Sequence, residues 1–225
     1  MRTVDAVPGH AGRRVLATLL LGLFGLILGG CASLPAPSSS SSSAPSAAVP
    51  ARTYHEAIEL AGRLSLRYEQ NGAPQALDGK FTWSQTAAGQ HITLLTPFGQ
   101  TLATIDVTPQ GAILTQNGQP PRSEASVDAL TASALGWPLP IAGLRTWLQG
   151  FATDAGGRPY VATATALGDA AFVNSADGWL IHYTVWDGAD GPPAQARPRR
   201  IDLQRITSQA GTIALRIVLD SWLPH

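Results

Sequence analysis

Apolar residues recur at every second position through much of the chain beyond residue 62, and this alternation limits the fold more than any other feature. It is clearest in three runs: Leu64, Leu66 and Tyr68; Phe81 and Trp83; Ile92 and Leu94. Alternation places the apolar side chains of a strand on one face, so each run predicts a strand with one buried face. Turn signals such as Asn71-Gly72 and Asp177-Gly178 separate the runs and predict antiparallel pairing.

The remaining pattern adds six strands and three helices to this sheet. The further strands are predicted at Thr101 to Val107, Ala112 to Gln116, Ala171 to Asn174, Trp179 to Val185, Arg200 to Gln204 and Thr212 to Leu219. The helices are predicted at 54–61, after a capping box of Thr53 and Glu56, from Ser126 to about Leu135, and from Ile141 to Gln149. A long antiparallel sheet with a few short helices over its apolar side is an α+β fold.

The N-terminus has the features of a bacterial lipoprotein signal. Arg2, Arg13 and Arg14 precede an apolar run over 15–28, which is shorter than the roughly 20 residues that a membrane-spanning helix needs. The sequence LGGC at 28–31 resembles a lipobox, in which the cysteine receives a diacylglycerol. We predict a signal peptide over 1–30 and lipidation of Cys31, the only cysteine. A secretory signal followed by an incidental cysteine is the alternative.

Residues 31–52 are predicted to join this cysteine to the folded part as a flexible tether. Six consecutive serines, Ser38 to Ser43, and interspersed prolines leave no apolar period that could fold. Ala32, where an aspartate would favour retention in the inner membrane, predicts the periplasmic face of the outer membrane. Residues 53–225 then form one domain, which is expected to be monomeric.

Composition and motifs argue against several classes of function. From Cys31 onward 12 basic residues oppose 14 acidic ones, a formal charge of 12 − 14 = −2, which does not favour nucleic acid. The five histidines lack metal-ligand spacing, and no phosphate loop, dinucleotide fingerprint or nucleophile elbow is present. The carboxylates of Asp106, Glu124, Asp202 and Asp220 are scattered. We therefore expect no enzyme activity, no metal and no cofactor.

Several segments together resemble the LolB family of outer-membrane lipoproteins. They are GRLSLR (62–67), FTW (81–83), LLTPFGQTLA (94–103), GWPLPIAGLRTWLQG (136–150), DGWLIHY (177–183) and LRIVLDSW (215–222). The resemblance implies an open, strongly curved antiparallel sheet, close to a half-barrel, with short helices over a hydrophobic cavity on its concave face. It also implies a receptor that accepts acylated lipoproteins from the periplasmic carrier LolA and inserts them into outer-membrane lipid.

The resemblance also assigns a role to the turn TPFGQT at 96–101. In the family this turn protrudes and carries an exposed leucine that delivery needs, and Phe98 stands at that place between Pro97 and Gly99. An aromatic suits the membrane interface. The alternative is an aromatic that folds back onto the core.

Strand parity and the second predicted helix provide candidates for the cavity lining. They are Leu66, Trp83, Leu94, Ile105, Leu144, Trp147, Trp179, Ile181 and Leu215. Parity does not separate a cavity wall from a filled core. Two other functions also remain open at this point: a structural lipoprotein that scaffolds an outer-membrane assembly, and a lipid-modifying enzyme, which the missing nucleophile disfavours.

Overall fold

The structure, a computed structural model, describes residues 52–166 and 168–225. The predicted signal peptide, Cys31 and the tether up to Ala51 lie outside these residues. Within the described part, no helix is long and apolar enough to cross a membrane.

The described residues form twelve strands, two α-helices and one short 3-10 helix. The first six strands are β1 Ile58–Gln70, β2 Ala73–Thr86, β3 Gly89–Leu95, β4 Thr101–Thr108, β5 Gly111–Gln116 and β6 Arg122–Glu124. The helices α1 Val127–Leu135 and α2 Ile141–Trp147 follow. The chain then forms β7 Phe151–Thr153, β8 Pro159–Val161, the 3-10 helix Gly168–Ala171, β9 Phe172–Asn174, β10 Leu180–Asp187, β11 Arg197–Thr207 and β12 Gly211–Pro224.

Ten of these strands form one antiparallel sheet. Their spatial order is β6-β5-β4-β3-β2-β1-β12-β11-β10-β9, and β7 pairs with β8 in a separate hairpin. Because β6 and β9 each have one neighbour in this order, the sheet is open rather than closed. The predicted α+β class and the open antiparallel half-barrel are confirmed.

The first strand, β1, holds the centre of the sheet because it pairs with β2 on one side and β12 on the other. Its register with β12 shifts between Ala61 and Gly62, and such a bulge increases local bending and twist. A Cβ at Gly62 would overlap the carbonyl oxygen of Val218, so only glycine allows this approach. Ile58, Leu60 and Leu66 are buried on the inner face, as period-two alternation requires.

The predicted helix at 54–61 is wrong. Residues from Ile58 onward belong to β1, where Ile58 pairs with both Gln85 and Pro224. Glu56, taken as the helix-capping residue, instead forms an ion pair with Arg145 at 2.9 Å. A capped helix of about two turns offers few hydrogen bonds, whereas a central strand is hydrogen-bonded on both sides and buries its apolar face.

The two later helices are confirmed. Ser126 caps α1 by accepting a hydrogen bond from the Ala129 backbone N–H at 3.1 Å. Gly136 ends the helix in a left-handed conformation at φ 84°. The second helix ends at Trp147, two residues earlier than predicted, and Gln149 and Gly150 continue it with tighter backbone bonds to Thr146 and Trp147.

The six further predicted strands are also present, with ends shifted by a few residues. Ala171 belongs to the 3-10 helix rather than to β9, and Trp179 precedes β10. The strands β6, β7 and β8, of three residues each, were not predicted.

Candidate functional site

An apolar cavity lies between the inner face of the sheet and the segment that holds α1 and α2. It encloses about 100 Å³. Every lining side chain is a leucine, isoleucine, phenylalanine or tryptophan: Leu64, Leu66, Leu77, Phe81, Trp83, Ile92, Leu94, Ile105, Leu135, Leu139, Ile141, Leu144, Leu148, Leu215 and Ile217. None of these groups ionises or acts as a nucleophile, so the cavity offers solvation of apolar groups and no acid, base or covalent chemistry.

The sheet forms the wall of this cavity and the helices form its cover. Strands β1 to β4 and β12 contribute alternate residues from their inner faces. Leu144 and Leu148 extend from the second helix and its end, and Leu135 and Leu139 come from the end of the first helix and the link that follows. Isoleucine and tryptophan side chains such as Ile105 and Trp83 are almost fully buried and form the floor.

The cavity approaches solvent on one side. Five of its lining residues are only half-buried: Leu64, Leu77, Leu94, Leu135 and Leu139. Leu77 lies near the turn before β2, and Leu94 lies near the turn after β3. The opening therefore lies between the ends of these two strands and the link between the helices.

Six of the nine predicted lining residues border this cavity. They are Leu66, Trp83, Leu94, Ile105, Leu144 and Leu215. The other three, Trp147, Trp179 and Ile181, are buried in the core outside the lining. The Trp179 ring packs 6.4 Å from the Trp137 ring, and the Trp147 carbonyl accepts a hydrogen bond from the Tyr183 hydroxyl at 3.1 Å.

Nine lining residues were missed. Strand parity could have found five of them, Leu64, Leu77, Phe81, Ile92 and Ile217, because each shares a strand face with a residue that was chosen. Helical spacing from Leu144 could have found Ile141 and Leu148. The remaining two are Leu135, which ends the first helix, from which no residue was chosen, and Leu139, which lies in the link between the helices and has no periodic signal.

The turn at 96–100 holds Phe98 outward. The backbone N–H of Gly99 donates to the Thr96 carbonyl at 2.9 Å, and Thr96 N–H donates to the Gln100 carbonyl at 2.8 Å. Gly99 has φ 91°, a conformation that side chains with a Cβ rarely adopt. Phe98 is 95% exposed, which excludes the alternative that its ring folds back onto the core.

This turn lies at one defined edge of the sheet, which we call the tip edge. In an antiparallel sheet successive turns alternate between two edges, so the turns 71–72 and 96–100 lie at the same edge. The turn between β11 and β12 lies at this edge too, because the Glu69 backbone N–H, near the end of β1, donates to the Ala210 carbonyl at 3.0 Å. Residues 52–57 precede β1 at the opposite edge.

Residues 52–55 are held at that opposite edge by polar contacts that the sequence did not reveal. The Arg52 guanidinium donates to the carbonyls of Ala196, Ala162 and Gln149 at 2.7, 2.9 and 3.2 Å. Burial lowers the pKa of Arg52, although an arginine remains charged. The fully buried Gln149 side chain both accepts from the backbone N–H of His55 and donates to its carbonyl, each at 2.9 Å.

Tyr183 is a buried titratable residue that lies outside the cavity. Burial raises the pKa of Tyr183 far above its ordinary value, so its hydroxyl stays a neutral donor to the Trp147 carbonyl. Across 52–166 and 168–225, no group of three or more His, Cys, Asp or Glu side chains is placed to hold a metal ion.

An open antiparallel sheet whose helices cover a wholly apolar cavity defines a class of protein that can shield an apolar ligand from water. Sequence comparison identifies the family within that class. The family profile described as "Outer membrane lipoprotein LolB" matches residues 56–222. The chain belongs to this LolB family of outer-membrane lipoproteins, as the resemblance predicted.

Individual relatives agree with this assignment over nearly their whole length. The chain is 39% identical to the outer-membrane lipoprotein LolB of Cupriavidus taiwanensis over 213 residues, which are 94% of this chain and 98% of the relative. It is 36% identical to that of Ralstonia nicotianae, covering 92% and 97%. A solved LolA superfamily protein from Nitrosomonas europaea shares 8% identity and superposes with a TM-score of 0.41, covering 77% of this chain and 88% of that one.

Proposed function

We propose that the protein is a lipid-anchored receptor that accepts acylated lipoproteins from the periplasmic carrier LolA and inserts them into the outer membrane. The observation that carries the proposal is the wholly apolar cavity, which approaches solvent beside the strand ends that lead to the exposed Phe98. No chemical step is needed, because cargo only moves from one apolar environment to another.

The energetics of the cargo explain why such a cavity is needed. We take a lipoprotein with three acyl chains of about sixteen carbons each. Exposure of these chains to water would cost tens of kcal/mol, because each CH₂ contributes about 0.8 kcal/mol. Acyl chains therefore have to pass from one cavity to the next and then into the bilayer. If each acceptor solvates them better than the last, the transfer needs no nucleotide.

The size of the cavity implies that it opens to take cargo. It encloses about 100 Å³, less than the roughly 150 Å³ of an engineered protein cavity that holds one benzene molecule. An acyl chain therefore requires α1, α2 and their link to move away from the sheet. The half-buried Leu135 and Leu139 belong to this cover and would be displaced first.

Phe98 would act at the delivery step. Burial of one large apolar side chain contributes only about 1.5–3 kcal/mol, which is too little to anchor a protein but enough to orient it on a bilayer. The acyl groups on Cys31 would supply the anchor, and Phe98 would bring the cavity opening against the lipid.

Phe98→Glu tests this division of roles. The variant is expected to fold normally and to accept lipoprotein from loaded carrier at the parent rate, because Phe98 contacts no core residue, and to lose delivery into vesicles. Phe98→Leu should keep most delivery. The measurements are urea unfolding, carrier-to-receptor transfer, and appearance of the lipoprotein in vesicles.

Ile113→Glu is the matched control, since Ile113 is 45% exposed in β5 away from the turn. It is expected to deliver like the parent. Parent-like delivery by Phe98→Glu, or loss of its folding, would contradict the proposal. A scaffold lipoprotein without a lipid site would instead fail to bind a fluorescent fatty acid and would release no lipid into organic solvent.

A further inference from the structure

Two large apolar side chains stand apart from all others in the described residues by their exposure. Phe98 is 95% exposed and Ile206 is 81% exposed, whereas the next, Leu223, is 55% exposed. A single exposed apolar residue is ordinary on a protein surface. Two extreme cases at related places in one sheet call for a common explanation.

Both residues lie at the tip edge. Phe98 occupies the turn between β3 and β4, and Ile206 is the next-to-last residue of β11, just before the turn to β12. Ile206 pairs with Thr212, and the following Ala210 carbonyl accepts from Glu69 near the end of β1. Strands β3, β2, β1 and β12 lie between Phe98 and Ile206 and, at about 4.8 Å per strand, separate the two residues by roughly 20 Å along the sheet.

Neither turn contains a charged residue of its own, although Arg205 directly precedes Ile206 and the Glu69 carboxylate lies beside Gly211. Residues 92–105 around Phe98 and 206–215 from Ile206 onward contain no Asp, Glu, Lys or Arg. The hairpin between β1 and β2, which lies between them, differs because it carries Glu69 and Asp78. An apolar side chain on a turn without charged residues can enter the outer part of a bilayer interface while the neighbouring charged groups stay in water.

The chain outside the described residues can bring this edge to the bilayer. The strand β1 has 13 residues and spans about 40 Å from the Arg52 side to the tip edge. The 21 residue steps from Cys31 to Arg52 can span at most about 70 Å. A domain anchored through Cys31 can therefore place its tip edge on the same membrane.

We propose that Ile206 is a second membrane contact, and that Phe98 and Ile206 together dock the tip edge on the bilayer that holds the anchor. This proposal rests on the proposed delivery role of Phe98. One contact point leaves the domain free to rotate about it, whereas two contacts about four strands apart restrict its tilt. The half-buried Leu77 and Leu94 at the cavity opening lie in the strands between them.

The experiment places fluorescent probes beside the proposed contacts and leaves the contacts themselves unchanged. Ser208→Cys and Gln100→Cys label the hairpins of Ile206 and Phe98, and Ser221→Cys labels an exposed site near Leu223 at the opposite edge. The lipidated full-length protein is reconstituted in vesicles with quencher-bearing lipids. Quenching is expected at positions 208 and 100 and not at 221.

Ile206→Ser in the Ser208→Cys protein is expected to lower the ratio of docked to undocked domain about tenfold. This factor corresponds to about 1.4 kcal/mol, which partial burial of one isoleucine side chain in the bilayer can supply. Leu223→Ser in the same background is the matched control and should leave quenching unchanged. Loading from the carrier should be the same in both variants.

Each other result overturns the inference in a distinguishable way. Quenching at 100 without quenching at 208 removes Ile206 from the membrane contact and leaves the proposed function standing. Quenching at neither site contradicts the delivery role of Phe98 itself. Equal quenching at all three sites excludes an oriented docking edge. Unchanged quenching in Ile206→Ser, or slower loading from the carrier, assigns Ile206 to another surface.

Discussion

At the scale of single residues, Arg52 shows how one side chain can hold the first described residues against the rest of the domain. Its guanidinium contacts three backbone carbonyls from separate segments and lies 4.6 Å over the Trp186 ring. The planar fork of arginine suits several acceptors at once, whereas a lysine ammonium is a single compact charge. Arg52 is thus expected to determine where the predicted tether leaves the fold.

Replacing Arg52 should destabilise the domain although the residue lies at its very beginning. Arg52→Ala is expected to lower the free energy of unfolding by about 2–3 kcal/mol, because charge-assisted hydrogen bonds are lost and the carbonyls they served stay partly buried. The free energy of unfolding of Arg52→Lys should lie between those of the parent and of Arg52→Ala. Urea unfolding measures the effect.

Arg199→Ala provides the comparison, since Arg199 pairs with Asp187 at an exposed site. It is expected to change stability by less than about 1 kcal/mol. Equal effects of the Arg52 and Arg199 variants would show that the three carbonyl contacts add nothing to stability.

At the scale of elements, the proposed function requires that the cover formed by α1, α2 and their link is stable enough to close the cavity and loose enough to open. The sheet beneath it is continuous through ten strands, whereas the link between the helices spans only residues 136–140. The Leu139 backbone N–H donates to the Thr131 hydroxyl at 2.9 Å, so the link folds back onto the first helix. We expect the cover to move as one unit over a fixed sheet.

Polar substitutions on the cover and on the floor should therefore differ in their effects on fatty-acid binding and on stability. Leu135→Gln, at the half-buried opening, is expected to weaken binding of a fluorescent fatty acid several-fold while lowering stability by about 1 kcal/mol, because the amide stays near water. Ile105→Gln, at the buried floor, is expected to cost about 3 kcal/mol or more. Probe titration and urea unfolding measure the two effects.

If Leu135→Gln melts the domain as Ile105→Gln does, its position belongs to an ordinary core and the cover does not open there. If Leu135→Gln binds the probe like the parent, the opening lies elsewhere in the cavity wall.

At the scale of the whole molecule, the anchor and the cavity are expected to act separately. Cys31 would determine where the protein works, and the domain would determine what it binds. An anchored domain meets its own membrane at a high effective concentration, which an unanchored one lacks.

Cys31→Ser is therefore expected to leave carrier-to-receptor loading unchanged and to slow delivery into membranes by about a hundredfold, in line with the loss of tethering. Ser40→Ala, within the serine run, should deliver like the parent. Complete loss of cargo binding in Cys31→Ser would contradict the separation of anchor and cavity.

The sequence by itself determined those features that depend on local chemistry. Alternation predicted the antiparallel sheet, local sequence placed the start of two helices at Ser126 and Ile141, and Pro97 and Gly99 are typical of a turn, to which the family resemblance assigned an exposed tip. It also carried the motifs by which the family was identified. These features depend on residues a few positions apart, so a single chain reveals them without its fold.

Only the tertiary structure decided which apolar residues border a cavity and which fill the core. Trp83 and Trp179 are both buried tryptophans that were predicted on strands, yet only Trp83 borders the cavity, whereas Trp179 packs near Trp137. Ile58 lies in a strand rather than in a capped helix because it pairs with residues of two other strands. These partners are more than 20 and more than 160 residues away in the sequence. Burial and pairing between distant segments outweigh local propensity, and a local pattern contains no information on which segments will meet.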